Sequence, residues 1–402
     1  MLDDVATGLD RILADRSALL RGRRFGLLMN RASVTSQLVP AEQALARKFP
    51  GQLHSLFSPQ HGYWSEQQAN MVESAHVLHP RLHVPVHSLY AESRRPTQEM
   101  LDGFDVLVID LQDVGTRVYT FIWTMKYCLE ACAQAGRPVI VLDRPNPVGG
   151  VLVEGPVMEQ AYRSFVGEFE IPMRHALTVG ELALLMNAEL DPPCELTVVP
   201  CTGWNPNRIG YLGRRPWVAP SPNMPTVATA TVYPGQVLLE GTTLSEGRGT
   251  TTPFEFVGAP GFQGDEVIDL LESCCSSGVR FLASQFTPSF DKFAGDSCGG
   301  VAILVTEPMR FHSLRTTLQI LACCRQRYPE QVSVLPPPYE YETVLPPIDI
   351  ISGSSAVREW LEKEHCDPRE VPKELWLADL DDWENRTAAH RLYERQFVTI
   401  EH

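Results

Sequence analysis

Two short, nearly all-apolar runs stand out along the chain, V-L-V-I at 106–109 and V-I-V-L at 139–142. Each closes on an aspartate and then a polar cluster, D-L-Q-D-V-G-T-R after the first and D-R-P-N-P after the second. Val- and Ile-rich runs of this length, separated by about 20 helix-patterned residues, predict adjacent buried parallel strands joined by a crossover helix. The polar clusters then fall at the carboxyl ends of both strands, the edge where an open α/β sheet takes its ligand.

The same alternation runs upstream. An amphipathic helix over 5–20 leads into a first strand, F-G-L-L-M-N, ending at Asn30, and a helix follows over 41–49. A second strand, L-H-S-L-F, runs into S-P-Q-H-G, and a third, V-P-V-H-S-L-Y, into A-E-S-R-R-P-T, with Pro96 opening the next helix. Five strands alternating with helices predict an α/β fold, a Rossmann-like doubly wound and mostly parallel sheet. After residue 151 the pattern loosens, although Thr178 followed by Glu181 reads as a capping box. Residues 205–225 are rich in Pro, Gly and Trp, as a boundary or cleft-lining loop would be. The expected organisation is a Rossmann-like domain over 1–219 and a smaller α+β domain over 220–402 that closes the cleft. In the latter, helices are predicted over 265–274 and 311–328 and strands over 279–286 and 301–305. The segment P-P-P-Y-E-Y-E-T-V-L-P-P-I-D-I is expected to form an extended strap.

Composition narrows the class. A chain of 402 residues is long enough for two cores, and 44% hydrophobic with 21% charged residues is globular. A net charge of -15 with no basic block argues against nucleic acid or an anionic membrane as partner. The first residues lack the apolar core of a signal peptide, and no window reaches the ~18 apolar residues of a membrane span, so a cytoplasmic protein is expected. The ten cysteines (Cys128, Cys132, Cys194, Cys201, Cys274, Cys275, Cys298, Cys323, Cys324, Cys366) form no C-x-x-C pair, and Cys128 and Cys132 read as small core residues. His83 and His87, four apart on the third strand, read as structural, and no metal is expected.

No G-x-G-x-x-G follows the first strand, no G-x-x-x-x-G-K-[ST] occurs, and the Gly- and Thr-rich stretch 241–252 lacks a phosphate-binding lysine. No nucleotide or other cofactor is therefore expected. No G-x-S-x-G elbow supports a serine hydrolase. What converges on the sheet edge is Gln60 and His61 after strand two, Glu92 after strand three, Asp113 and Arg117 after strand four, and Asp143, Arg144 and Asn146 after strand five. Glycoside hydrolysis uses such an inventory: a carboxylic acid for the leaving oxygen, a second group for the anomeric centre, and amides and arginines to hold the sugar. The alternative is that Asp113/Arg117 and Asp143/Arg144 are ion pairs that stabilise loops.

The ordered series S-P-Q-H-G, D-V-L-V-I-D-L-Q-D-V-G-T-R-V-Y-T-F, V-L-D-R-P-N-P-V-G-G, I-P-M-R-H, T-V-G-E-L-A, S-P-N-M-P-T and S-E-G-R-G-T-T-T-P-F-E resembles the NamZ-type exo-β-N-acetylmuramidases. These bacterial glycoside hydrolases release N-acetylmuramic acid from the non-reducing ends of peptidoglycan fragments. The resemblance runs from about Arg24 to the P-Y-E-Y-E segment and implies a Rossmann-like catalytic domain with a smaller C-terminal domain. It also implies a small carbohydrate substrate and leaves the oligomeric state open.

The resembled strand-two motif is typically P-E-H-G, with the glutamate as catalytic acid, whereas here the position is Gln60, an amide with no titratable proton. Either another carboxylate acts, with Glu66, Glu73, Glu92, Asp113, Glu181 and Glu246 as candidates, or the protein binds sugar without cleaving it. A hydrolase for a different glycan is the third reading. The other residues that the resemblance implies in the cleft are Asn30, His61, Arg117, Tyr119, Asp143, Arg144, Asn146, His175, Asn223 and Arg248. Arg117, Arg144 and Arg248 are the expected partners of the lactyl carboxylate of muramic acid, which a guanidinium can bind bidentately. R-H-A at 174–176 replaces a usual R-H-G, which is expected to alter a turn.

Overall fold

The computed structural model describes residues 4–68, 72–210, 212–274, 277–364 and 366–400. Cys275 lies outside them. A seven-stranded sheet fills the first half. Its strands are β1 (Phe25–Met29), β2 (Leu53–Ser58), β3 (Val77–Leu78), β4 (Pro85–Ser88), β5 (Val106–Asp110), β6 (Val139–Leu142) and, after the two-stranded ribbon β7 (Glu154–Val157) and β8 (Pro172–Arg174), β9 (Leu196–Val199). The order is β3-β4-β2-β1-β5-β6-β9. All neighbours are parallel except β3, which caps one edge antiparallel to β4. β1 pairs with β5 from Phe25↔Val106 to Met29↔Asp110.

The continuous apolar runs follow from burial on both faces. Alternate side chains of β5 and β6 separate into two clusters: Leu107, Ile109, Val139 and Val141 pack with α4 (Phe121–Gln134 in the chain) and its neighbour, the helix Val179–Ala188. Val106, Val108, Ile140 and Leu142 pack with Leu9, Ile12 and Leu45 from the helices Gly8–Leu13 and Ala41–Lys48. In chain order the helices are α1 (Gly8–Leu13), α2 (Ala41–Lys48), α3 (Gln98–Leu101), α4, α5 (Val179–Ala188), α6 (Val227–Gln236), α7 (Gly264–Leu271), α8 (Ser313–Arg327), α9 (Pro347–Ser352), α10 (Ala356–Leu361) and α11 (Leu380–Thr387). The second half holds a three-stranded antiparallel sheet of β10 (Phe256–Pro260), β11 (Val279–Phe286) and β12 (Cys298–Val305), in the order β10-β12-β11.

Several expectations are corrected. The opening helix stops at Leu13, because residues 14–16 are exposed and have no core to pack on. Pro96 precedes α3 rather than opening it, since Thr97 is the N-cap and its hydroxyl accepts from Met100 N. His83 lies in the turn before β4, at φ +53°, so it does not share a strand face with His87. β9 joins the sheet beyond the five expected strands; its mixed burial at the edge gives L-T-V-V little periodicity. The Thr178–Glu181 capping box forms as read, and Ala176 adopts φ +59°, the left-handed turn conformation that glycine takes more easily.

The strap is not extended throughout. Tyr339 and Glu342 exchange two backbone hydrogen bonds of 2.9 Å, closing a two-residue turn on Glu340 and Tyr341 at φ +44° and +70°. That is the backbone of a tight hairpin turn, in which both central residues need positive φ. It drives the turn back towards the carboxyl edge of the large sheet.

Candidate active site

Gln60 leaves β2 just past its carboxyl end and is 5% exposed. Its Oε1 accepts from the Thr120 hydroxyl, at the start of α4, at 2.6 Å. Its Nε2 therefore points the other way and donates to Tyr90 Oη at 3.2 Å and to Glu340 Oε1 at 3.1 Å. Tyr90, just after β4, donates its hydroxyl to the other oxygen of Glu340 at 2.8 Å. Three segments from both halves of the chain thus meet at one carboxyl group, with Thr120 holding the amide from its other side. Burial pushes the Glu340 carboxyl above the usual carboxylate range, against the lowering effect of the two hydrogen bonds and of Arg248 and Arg94.

Two spaces border this cluster. Inside is a narrow slot of about 40 Å³, lined among others by Gln60, His61, Tyr119, Asn223, Arg248 and Glu340. Outside is a cavity of about 480 Å³, walled by Glu92, Arg94, Tyr127, Phe165, Glu340 and Tyr341. The second volume lies in the ~300–1,000 Å³ range of small-molecule sites. Glu340 is shared by both. At the strand-order reversal between β1 and β5, where a doubly wound sheet often takes its ligand, the hollow is only about 30 Å³ because Arg215, Pro216 and Trp217 cover it.

His61 sits in the slot at φ +77°. Its Nδ1 lies 2.8 Å from the Gln67 carbonyl, which can only accept, so Nδ1 carries the proton and Nε2 is left as an acceptor. Burial, helped by the Arg248 charge, lowers the imidazole pKa to about 4. Arg248 donates to the Gln68 carbonyl at 3.1 Å and faces Glu240 and Asp291 at 3.6 and 3.5 Å. Asn223 donates to the same carbonyl at 3.0 Å. Arg94 in the outer cavity is less matched: its guanidinium lies 4.7 Å from the Tyr90 ring centre and 4.0 Å from that of Tyr341, and its Nη2 is buried without a hydrogen bond.

The remaining sequence-derived residues lie outside the slot. Asn30 ties β1 to β5, donating to the Gln112 carbonyl at 2.9 Å. Arg144 is bidentate on Asp110, at 2.6 and 2.8 Å. Arg117 is fully buried and donates only to the carbonyls of Pro156, Ile171 and Ile351; burial lowers its pKa to about 9. Asp113 accepts from Gly115 N at 2.6 Å and faces His175 Nε2 at 3.7 Å. Asn146 bonds Leu177 O and Val148 N.

Asp143 accepts from Arg144 N, Gly180 N, Thr178 and Tyr393, and burial raises its pKa to about 7. Glu181 is gripped by Arg395. Glu246 pairs with Lys292 at 3.0 Å. Glu92 is exposed beside His76 on the outer rim, and exposed Glu66 accepts from Trp64 N. Glu73 is exposed as well.

Sequence reasoning missed Glu340, Tyr90, Thr120 and Arg94. A carboxylate between two tyrosines in a proline-rich strap was the available signal, because irregular segments on a rigid scaffold are where binding groups concentrate. Among the described residues, no helix is long and apolar enough to cross a membrane.

The family model described as Exo-beta-N-acetylmuramidase NamZ, N-terminal, matches residues 25–228, and the corresponding C-terminal model matches residues 231–393. A Bacillus subtilis (strain 168) protein named Peptidoglycan beta-N-acetylmuramidase NamZ is 44% identical over 331 residues, covering 82% of this chain and 80% of that protein. Two crystal structures of DUF1343 family proteins from Bacteroides fragilis NCTC 9343 share the fold. One has a TM-score of 0.86 at 30% identity, over 97% of this chain and 99% of its own; the other has 0.73 at 26%, over 98% and 100%.

Proposed function

The chain belongs to the exo-beta-N-acetylmuramidase NamZ family, and from that membership we propose that it is a glycoside hydrolase releasing N-acetylmuramic acid from the non-reducing ends of peptidoglycan fragments. The observation that carries the reading is 44% identity to a named peptidoglycan β-N-acetylmuramidase over four-fifths of both chains. The geometry is consistent with it: a cavity of about 480 Å³ is bordered by the buried Glu340, by Arg94 and by the aromatic side chains of Tyr127, Phe165 and Tyr341, and Gln60 and Tyr90 hold the Glu340 carboxyl behind it. Sugars are bound in this way, with rings on aromatic faces and hydroxyls on a few fixed polar groups.

The lactyl carboxylate that distinguishes muramic acid needs a cation with free donors. In this reading Arg94 receives it, since Arg117 and Arg144 are committed to carbonyls and to Asp110, and Arg248 already faces two carboxylates. The substrate is a small peptidoglycan-derived carbohydrate. The reading includes a cytoplasmic role in cell-wall recycling; support comes from the nine described cysteines, all free thiols, as in a reducing compartment.

The test is release of N-acetylmuramic acid from a MurNAc-β-1,4-GlcNAc disaccharide by the unaltered protein. Turnover is expected. Absence of turnover with this disaccharide and with longer MurNAc-terminated fragments would overturn the reading.

A further inference from the structure

We propose that Glu340, carried on the strap of the C-terminal half, is the general acid that protonates the leaving-group oxygen. The inference rests on the muramidase reading above. Gln60 cannot supply this proton, because an amide has none to give at any working pH. The carboxyl group within hydrogen-bond reach of that amide is Glu340, 3.1 Å away.

Its surroundings suit a proton carrier. Glu340 is 4% exposed, yet its side chain borders the slot and the outer cavity alike. The two donors that hold it, Gln60 Nε2 and Tyr90 Oη, are both neutral. They fix one lone pair on each oxygen and leave the others for a proton or a glycosidic oxygen. Burial favours the protonated form, which an acid needs to keep its proton near neutral pH. The other carboxylates are differently placed. Glu246 faces Lys292, Glu240 faces Arg248, Glu181 faces Arg395, and Glu92 stands in solvent.

The backbone gives independent support. Glu340 and Tyr341 occupy the left-handed region at φ +44° and +70°, where glycine or asparagine would be less strained. A turn that keeps a glutamate and a tyrosine there holds those side chains at a defined place against backbone strain.

In the reaction, the Glu340 carboxyl proton passes to the glycosidic oxygen as the C1–O bond breaks and its electron pair leaves with that oxygen. Water supplies the hydroxyl at C1, and its remaining proton restores the Glu340 carboxyl. The atoms balance as one hydrolysis, with no other reactant.

The experiment compares the unaltered protein with Glu340→Gln on two substrates: MurNAc-β-1,4-GlcNAc, whose sugar leaving group needs protonation, and 4-nitrophenyl β-MurNAc, whose phenolate leaves without it. Loss of a general acid is expected to lower kcat/KM on the disaccharide by about 10²–10⁴-fold and on the aryl glycoside by at least ten times less. The alkaline limb of the disaccharide pH profile should disappear as well. Because the ratio of the two losses does not depend on how much variant is folded, misfolding cannot mimic this result. Equal losses on both substrates, or no loss, would overturn the assignment of Glu340. Inactivity of the unaltered protein on both would instead overturn the muramidase reading itself.

Discussion

Arg395, five residues before the last described position, forms a two-pronged ion pair with Glu181 on α5, at 2.6 and 2.7 Å, and both side chains are fully buried. The same tail donates Tyr393 Oη to Asp143 at 2.5 Å, and Val398 hydrogen-bonds with Val151 and Val153 backbone groups. The final segment of the chain is therefore fastened to the carboxyl edge of the first half. Charges at that edge that could have faced a ligand are occupied by the protein's own tail.

Removing one partner of a buried pair leaves the other charge unpaired in a low-dielectric site. Arg395→Ala is expected to destabilise the fold by about 3–5 kcal/mol, read as a lowered midpoint in urea unfolding. Full retention of the midpoint would mean that the tail does not hold the edge in solution.

His61 gives a pH dependence of known sign. Its folded pKa of about 4 lies below the unfolded value of 6.5, so between these pH values the unfolded chain binds more protons than the folded one. The imidazole's contribution is intact above about pH 6.5 and is lost as the pH falls through 4, a total of about 3 kcal/mol. His61→Asn, which tolerates positive φ, should remove this part of the dependence. The check is the difference in unfolding free energy between the two proteins from pH 7 to pH 4; it should shrink as the pH falls, while a constant difference would argue against a neutral buried imidazole.

If Arg94 receives the lactyl carboxylate, Arg94→Ala loses a charge-assisted contact of about 1.5–3 kcal/mol. KM for MurNAc-GlcNAc should then rise by about 10- to 100-fold with kcat within a few-fold. A substrate whose lactyl carboxylate is converted to an amide should show little further loss in the variant. An unchanged KM would assign Arg94 to stacking on Tyr90 and Tyr341 alone.

Gly353 ends α9 at φ +85°, and a Cβ there would lie 2.8 Å from Met158 Cγ and 2.9 Å from Arg117 Nη2. Backbone strain and overpacking act together, so Gly353→Ala is expected to cost about 2–4 kcal/mol, seen as a lower Tm. Tm within a degree of the unaltered protein would show that the Arg117 side chain can yield.

The sequence by itself determined the parallel sheet, because Val- and Ile-rich runs such as 106–109 and 139–142 have no stable place except between two helical layers. It also determined which residues stand at the strand exits, and it marked Gln60 as the departure that matters, because the identity of a side chain fixes whether it can carry a proton. Only the tertiary structure decided what those exits face. Arg117, Asp143, Arg144 and Glu181 are held by Ile351, Tyr393, Asp110 and Arg395, in part across more than two hundred residues, and no local pattern encodes such pairings. The carboxyl beside Gln60 comes from a turn 280 positions along the chain, brought back by a strained hairpin inside a proline-rich strap. Local propensity reads such a segment as extended, since the contacts that anchor Glu340 at the sheet edge, to Gln60 and Tyr90, are distant in sequence.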